Sequence, residues 1–204
     1  VTYDSAASGD VSVTGLGGAS ALDINGIEFL EVVGDSANND TVAVTATGNN
    51  DSVTVVPAAN GAQVFLGGAT NFTTPGVAGG STGPDIRISG VTNTAGVSVN
   101  GAAGNDTLLY DGSPTVTPSG PGAGTLSAPG VTDIVYSSFE TVDASGTLNF
   151  TIRATTPANT ANNGVADTFN VAINAGLLEV NVNGTIVLQQ DISTIDQLVI
   201  DGSG

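Results

Sequence analysis

Three segments of this chain share one order of residue types: apolar, acid, any, apolar, any, small or apolar, any, glycine. They are Ile27-Glu28-Phe29-Leu30-Glu31-Val32-Val33-Gly34, Phe139-Glu140-Thr141-Val142-Asp143-Ala144-Ser145-Gly146 and Ile195-Asp196-Gln197-Leu198-Val199-Ile200-Asp201-Gly202. Their closing glycines stand 112 and then 56 residues apart, which places a missing copy at residue 90. Residue 90 is glycine, preceded by Ile86-Arg87-Ile88-Ser89, with Pro84 where the acid would be. A fixed period of this length marks a fold built by repeating one supersecondary unit. The register predicts that Leu30, Ile86, Val142 and Leu198 are buried. Val32, Ile88, Ala144 and Ile200, two positions on, are predicted to share that face.

A second mark recurs. Asn39-Asp40-Thr41, Asn50-Asp51-Ser52 and Asn105-Asp106-Thr107 each precede an alternating run, and Ala166-Asp167-Thr168 repeats the mark without its Asn. Further strand-like runs lie at 11–14, 62–66, 97–99, 149–153, 177–182 and 185–189, too short for most helices. Val, Ile and Thr supply 62 of the 204 residues, and their branched side chains suit a pleated surface. Asn-Gly pairs at 25–26, 60–61, 100–101, 163–164 and 183–184 mark turns that need positive φ.

The chain therefore reads as all-β, a single body spanning 1–204, with loop excursions near 67–84, 113–130 and 155–165. Two architectures fit: a parallel β-solenoid on a repeat of about 56 residues, and a β-sandwich whose hairpins turn at the Asn-Gly pairs. The recurring Asp-Thr strand starts and the low aromatic content, 4 %, favour the solenoid.

Composition narrows the chemistry. Cys, His, Met, Trp and Lys are absent, which removes disulfides, thiolate or imidazole metal sites, Cys- or His-dependent catalysis and lysine chemistry. Two arginines against nineteen acids give a net charge of −17, which repels nucleic acid and anionic lipid. No apolar run approaches the length of a membrane helix, so neither a nucleic-acid partner nor membrane insertion is expected. A surface of Thr, Ser, Asn and Gly suits an extracellular or cell-surface protein. The start at Val1, without an initiator Met, reads as a processed or excised piece of something longer.

Paired carboxylates alone suffice for glycoside hydrolysis. Glu28 and Glu31 fall on opposite faces of a strand, whereas Glu28 and Glu140 hold equivalent repeat positions. Sugar clefts usually display several aromatic rings, and this chain has no Trp and three Tyr. Arg87 and Arg153 each sit in an apolar-alternating run and are expected to point outward into surface ion pairs. Six Asn-x-Ser/Thr sites, at Asn39, Asn50, Asn71, Asn105, Asn149 and Asn183, are what so much Asn and Thr supplies by composition.

At Gly101-Ala102-Ala103-Gly104-Asn105-Asp106-Thr107-Leu108-Leu109 the chain resembles the nonapeptide of haemolysin-type (RTX) calcium-binding repeats, with Ala102 in place of the second glycine. More loosely, it is similar to long bacterial extracellular β-solenoid repeat proteins. The resemblance implies calcium held by turn carbonyls and an aspartate, which maps onto Asp106, with Asp40 and Asp51 as weaker candidates. Asn105 and Asp111 could complete the oxygen set, and a neighbouring coil or chain would have to add the rest. The competing reading of each Asn-Asp-Thr is a turn whose side chain bonds local backbone.

The function expected is non-catalytic: a structural or adhesive segment or subunit of a surface layer, filament or large adhesin. Alternatives are a carbohydrate-binding or polysaccharide-active β-helix and a calcium-dependent binding module. The expected partner is a second copy, associating head to tail, with glycan contact as a further expectation.

Overall fold

The structure, a computed structural model, describes residues 2–4, 10–13, 22–24, 30–34, 40–66, 84–153 and 166–202. They form nineteen strands and one short 3-10 turn, Ile192–Thr194. The first ten strands are β1 (Thr2–Asp4), β2 (Asp10–Val13), β3 (Leu22–Ile24), β4 (Leu30–Val33), β5 (Val42–Thr45), β6 (Ser52–Ala58), β7 (Gly61–Leu66), β8 (Ile86–Ser89), β9 (Val97–Asn100) and β10 (Thr107–Tyr110). The remaining nine are β11 (Thr115–Gly120), β12 (Ala123–Ser127), β13 (Ile134–Ser137), β14 (Thr141–Ala144), β15 (Asn149–Arg153), β16 (Phe169–Asn174), β17 (Leu177–Val182), β18 (Thr185–Asp191) and β19 (Gln197–Asp201).

Ten strands make one sheet, in the order β19-β15-β11-β12-β13-β9-β5-β1-β2-β3. Six make a second, β14-β10-β6-β7-β8-β4, and three a third, β16-β17-β18. The fold is all-β, as expected, but its sheets are mixed rather than plainly parallel. Eight neighbouring pairs are parallel and eight antiparallel.

The mixture has a simple order. The chain makes a three-stranded antiparallel meander and then two single strands, one in each of the two large sheets. The meanders are β1–β2–β3, β6–β7–β8, β11–β12–β13 and β16–β17–β18; the single strands are β4 and β5, β9 and β10, β14 and β15. Within each of the first three units the first strand pairs in parallel with the fifth: β1 with β5, β6 with β10, β11 with β15. The third strand of a meander pairs in parallel with the fourth strand of the preceding unit: β8 with β4, β13 with β9. Tight turns that need positive φ create the antiparallel part. Asn183 (φ 52°) and Gly184 (φ 90°) close β17 onto β18, a conformation whose twist matches that of the flanking strands. The pairs at 60–61 and 183–184 thus stand at hairpins. Asn100-Gly101 instead lies at a corner between sheets, and 25–26 and 163–164 lie outside the described residues.

The 56-residue register is corrected in one place. Leu30, Val142 and Leu198 lie on β4, β14 and β19, each the fourth strand of its unit, whereas Ile86 lies on β8, the third strand of its meander. The fourth strand there is β9, whose Val97-Ser98-Val99-Asn100-Gly101 carries the same alternation and closing glycine. Ile86 still stands beside Leu30, because β4 and β8 pair in register, Leu30 with Ile86 and Val32 with Ile88. All eight predicted residues are in strands. Ile86, Ile88 and Val142 are buried, Leu30, Val32, Ala144 and Leu198 are half-buried, and Ile200 is exposed.

Of the three excursions, 113–130 is in large part a hairpin, β11 with β12, and not a loop. Its prolines suggested otherwise. Yet β15 pairs only with Thr115 and Val116, so Pro118 falls where β11 has an open side and a missing N–H is tolerated. The other two, 67–84 and 155–165, lie almost wholly outside the described residues.

Strict alternation along β9 and β13 turns one face of the large sheet inward. It meets the inward face of the six-stranded sheet in one apolar cluster that includes Val44, Val99, Leu108, Tyr110, Phe139 and Phe150. The Tyr110 hydroxyl has no hydrogen-bond partner in that interior. Burial, with the charges of Asp133 and Asp111, pushes its pKa up to about 12. Both arginines lie on the outer faces, as expected. Arg87 stands between Glu31 and Gln63 in the ladder, and Arg153 lies 4.0 Å from Asp201 in an exposed pair of small energetic value.

Candidate functional site

β6, β10 and β14 run parallel and in register, Ser52 beside Thr107 and Thr107 beside Thr141. Each is preceded by an acid, so Asp51, Asp106 and Glu140 come side by side at one edge of the sheet. Neighbouring strands are about 4.8 Å apart, so three carboxylates there would repel unless something holds them.

Backbone N–H groups of the adjoining strands do so. The Asp51 N–H donates to Asp106 Oδ1 at 2.7 Å, and the Asp106 N–H donates to Glu140 Oε2 at 2.6 Å. Asp51 Oδ2 accepts from the N–H and the hydroxyl of Thr47, at 2.9 and 2.6 Å. The same device recurs elsewhere: Asp85 accepts from Leu66 N–H at 2.6 Å, and Asp196 from Leu148 N–H at 2.7 Å. Of the two sequence readings of Asn-Asp-Thr, the local turn describes Asp51. Asp106 and Glu140 bond across layers instead, to residues 55 and 34 positions away.

Asp106 is the most enclosed of the three, 1 % exposed, and its Oδ2 has no hydrogen-bond partner. The corner glycine packs directly against it. A Cβ on Gly101 would lie 2.7 Å from Asp106 Oδ2 and 2.0 Å from the Ser138 carbonyl oxygen. Burial raises the Asp106 pKa above its ordinary value; the hydrogen bond from Asp51 N–H opposes this, and the charges of Asp51 and Glu140 add to it. Asp85 is raised as well, again chiefly by burial.

The direction fixes a pH response. A carboxyl whose folded pKa exceeds its unfolded value binds its proton more readily in the folded state. Stability from Asp106 and Asp85 is therefore gained as pH falls through the raised values, and is complete below the ordinary value of 3.8. Asp191, held low by the Ser193 hydroxyl and N–H, acts in the opposite sense from an exposed position. Calorimetry from pH 7 down toward the ordinary value of 3.8 is expected to show the parent melting temperature gaining on that of Asp106→Asn as the pH falls.

The structure brings together only part of the predicted metal set. Asp51, Asp106 and Asn105 share one edge, with the Asn105 N–H donating to Asn50 Oδ1 at 3.0 Å. Asp111 follows β10 rather than preceding it, so the whole strand separates it from Asp106. Its Oδ1 accepts from the Ser145 hydroxyl at 2.7 Å. Asp40 precedes β5 in the large sheet, at the opposite edge, with Oδ2 close to Gly34. Glu140 was missed as a member of this set. The signal was present, because an acid followed by Ser or Thr precedes β6, β10 and β14 alike. Glu28 lies outside the described residues.

Beside the carboxylates an open cleft of about 390 Å³ runs toward the third sheet, lined by Asn105, Ser138, Glu140, Thr141, Gln189 and Asp191 among others. Among the described residues, no group of three or more acids is gathered in the arrangement of a metal centre. Comparison with protein-family models, with curated proteins and with solved structures finds no match.

Proposed function

We propose that this chain is a non-catalytic structural or adhesive protein of the cell surface, a segment or subunit of a surface layer, filament or large adhesin, that associates head to tail. The observation that carries the reading is the use made of its acids. Asp106, Glu140 and Asp196 each accept from a backbone N–H just ahead of a parallel neighbouring strand, and so serve the stacking of layers, while Asp85 ties β8 to β7 within one meander. Sheet edges support the assembly. Among the described residues β4 and β19 each pair on one side only, and Val33 on β4 is 70 % exposed. Such edges are templates for another strand, and head-to-tail contacts that do not close give fibres. Electron microscopy with sedimentation over rising protein concentration is expected to show end-to-end assemblies. Isolated monomers at high concentration, with calcium present, would overturn the reading.

A second reading, calcium binding at the Asp106 corner, draws on the unpartnered Asp106 Oδ2 beside the Ser138 carbonyl. Those two oxygens would be ligands, and calcium takes about 6–8, so most of the shell would come from water or a neighbouring chain. The Asp106→Asn variant separates the possibilities. Without calcium it is expected to melt at or above the parent temperature, because it removes a buried charge between Asp51 and Glu140. With calcium at a hundredfold excess over Kd the parent alone would gain about 2.7 kcal/mol. Identical parent melts in calcium and in chelator would sink the calcium reading and leave the scaffold reading standing.

A further inference from the structure

In each earlier unit the first strand of the meander carries a parallel fifth strand on its outer side: β5 on β1, β10 on β6, β15 on β11. β16 opens the fourth meander, and among the described residues its ladder is with β17 alone. Val171 and Ile173 of β16 stand opposite Val180 and Leu178, both buried, so they belong to the inward face. They are nevertheless 44 % and 63 % exposed. Ile200 of β19, paired with the fully buried Ile152 of β15 in the ten-stranded sheet, is exposed as well. Among the described residues the inward apolar side chains of β16 and of the end of β19 are therefore left partly uncovered. Phe169-Asn170-Val171-Ala172-Ile173-Asn174 has no charge and no proline, the usual protections of an edge strand.

We propose that β16 is an acceptor for a strand of the kind this chain uses as β5 and β10, two of its own fifth strands: an uncharged extended segment, apolar at alternate positions, running parallel to β16 after an Asp-Thr start. The earlier units give the register. Val53 faces Leu108 and Val116 faces Phe150, so the incoming apolar side chains lie opposite Val171 and Ile173. Main-chain hydrogen bonds supply the affinity, and the alternate side chains supply the selectivity by covering the exposed inward side chains. This deepens the scaffold reading, on which it rests for its biological setting, by naming what one unit accepts from the next.

The test uses the full protein and a synthetic peptide, Asn-Asp-Thr-Leu-Leu-Tyr-Asp-Gly, copied from residues 105–112. Amide exchange followed by NMR is expected to slow roughly tenfold at alternate β16 residues once peptide is in about tenfold excess over Kd, with contacts of a parallel register. The Val171→Lys/Ile173→Lys double variant changes only exposed positions, so it is expected to melt as the parent does and to lose the protection. A peptide with proline at its second leucine serves as the non-binding control. Unchanged β16 exchange at millimolar peptide, an antiparallel register, or β16 protection arising from a symmetric dimer without peptide would each overturn the proposal. Filament formation is read separately by microscopy, so the strand acceptor and the scaffold reading can fail independently.

Discussion

Replacing Leu108 with alanine is expected to lower the unfolding free energy by about 2–5 kcal/mol, one of the largest effects of any single truncation in this chain. Leu108 lies on β10, the centre of three parallel strands, with Val53 of β6 on one side and Val142 of β14 on the other. It is wholly buried, and both neighbours belong to the same apolar cluster. The surrounding ladders hold their backbone positions, so the methyl groups removed leave a cavity that little can fill. Urea denaturation with the slope compared between variants measures the loss. Val199→Ala on the half-open strand β19 is the comparison, expected within about 1 kcal/mol of the parent. Equal losses at Leu108 and Val199 would mean that the interior is not the shared core described above.

Gly101→Ala is expected to be nearly as damaging, about 3 kcal/mol, although it adds a single carbon. Its Cβ would stand 2.0 Å from the Ser138 carbonyl oxygen and 2.7 Å from Asp106 Oδ2. The first of these is backbone of an adjacent layer, so no rotamer relieves the overlap. The corner must open, and with it the bond from Asp51 N–H to Asp106 Oδ1. Gly48→Ala in the corner before β6, where a Cβ meets nothing within 4 Å, is the control and is expected to be close to neutral. Faster amide exchange at Asp51 in Gly101→Ala, and not in Gly48→Ala, would tie the loss to the carboxylate corner. Equal stability of the two variants would contradict this packing.

The candidate site was half legible. Asn-Asp-Ser/Thr ahead of an alternating run marks Asp51 and Asp106, and they do meet, because two strands that start alike and pair in register bring their preceding residues together. The same mark offers Asp40 as strongly as Asp51, and the resemblance adds Asp111 as a residue that could complete the oxygen set. Asp111 is five residues from Asp106, a short distance in sequence, but an extended strand of four residues turns that into roughly 16 Å. Asp40 starts a strand of the other large sheet. Only knowledge of which sheet each strand joins separates them. Glu140 carries the equivalent signal, an acid before Thr141, but its place in the 56-residue pattern marks a repeat position and not a partner of Asp106.

The sequence by itself determined most of the strands and the directions their side chains take, the proline-bearing hairpin β11–β12 being an exception. Branched or apolar residues at alternate positions bury one face of a strand wherever it pairs, so β9, β15 and β17 needed no neighbour to be recognised. It also determined the chemistry at hand: oxygen ligands and carboxylates, with no imidazole, thiol or amine side chain. The tertiary structure alone decided which strands are neighbours. β8 and β4 pair in register, yet the number of residues between β7 and β8 moves the fourth strand of that unit away from the 56-residue mark and onto β9. Pairing depends on where a turn returns the chain, and turn length is only weakly constrained by the free energy of the ladders it joins. For the same reason the alternation of parallel and antiparallel pairs, the meeting of Asp51, Asp106 and Glu140, and the open side of β16 were set by topology. A strand's own residues specify a face; the ladder beside it is chosen by the rest of the chain.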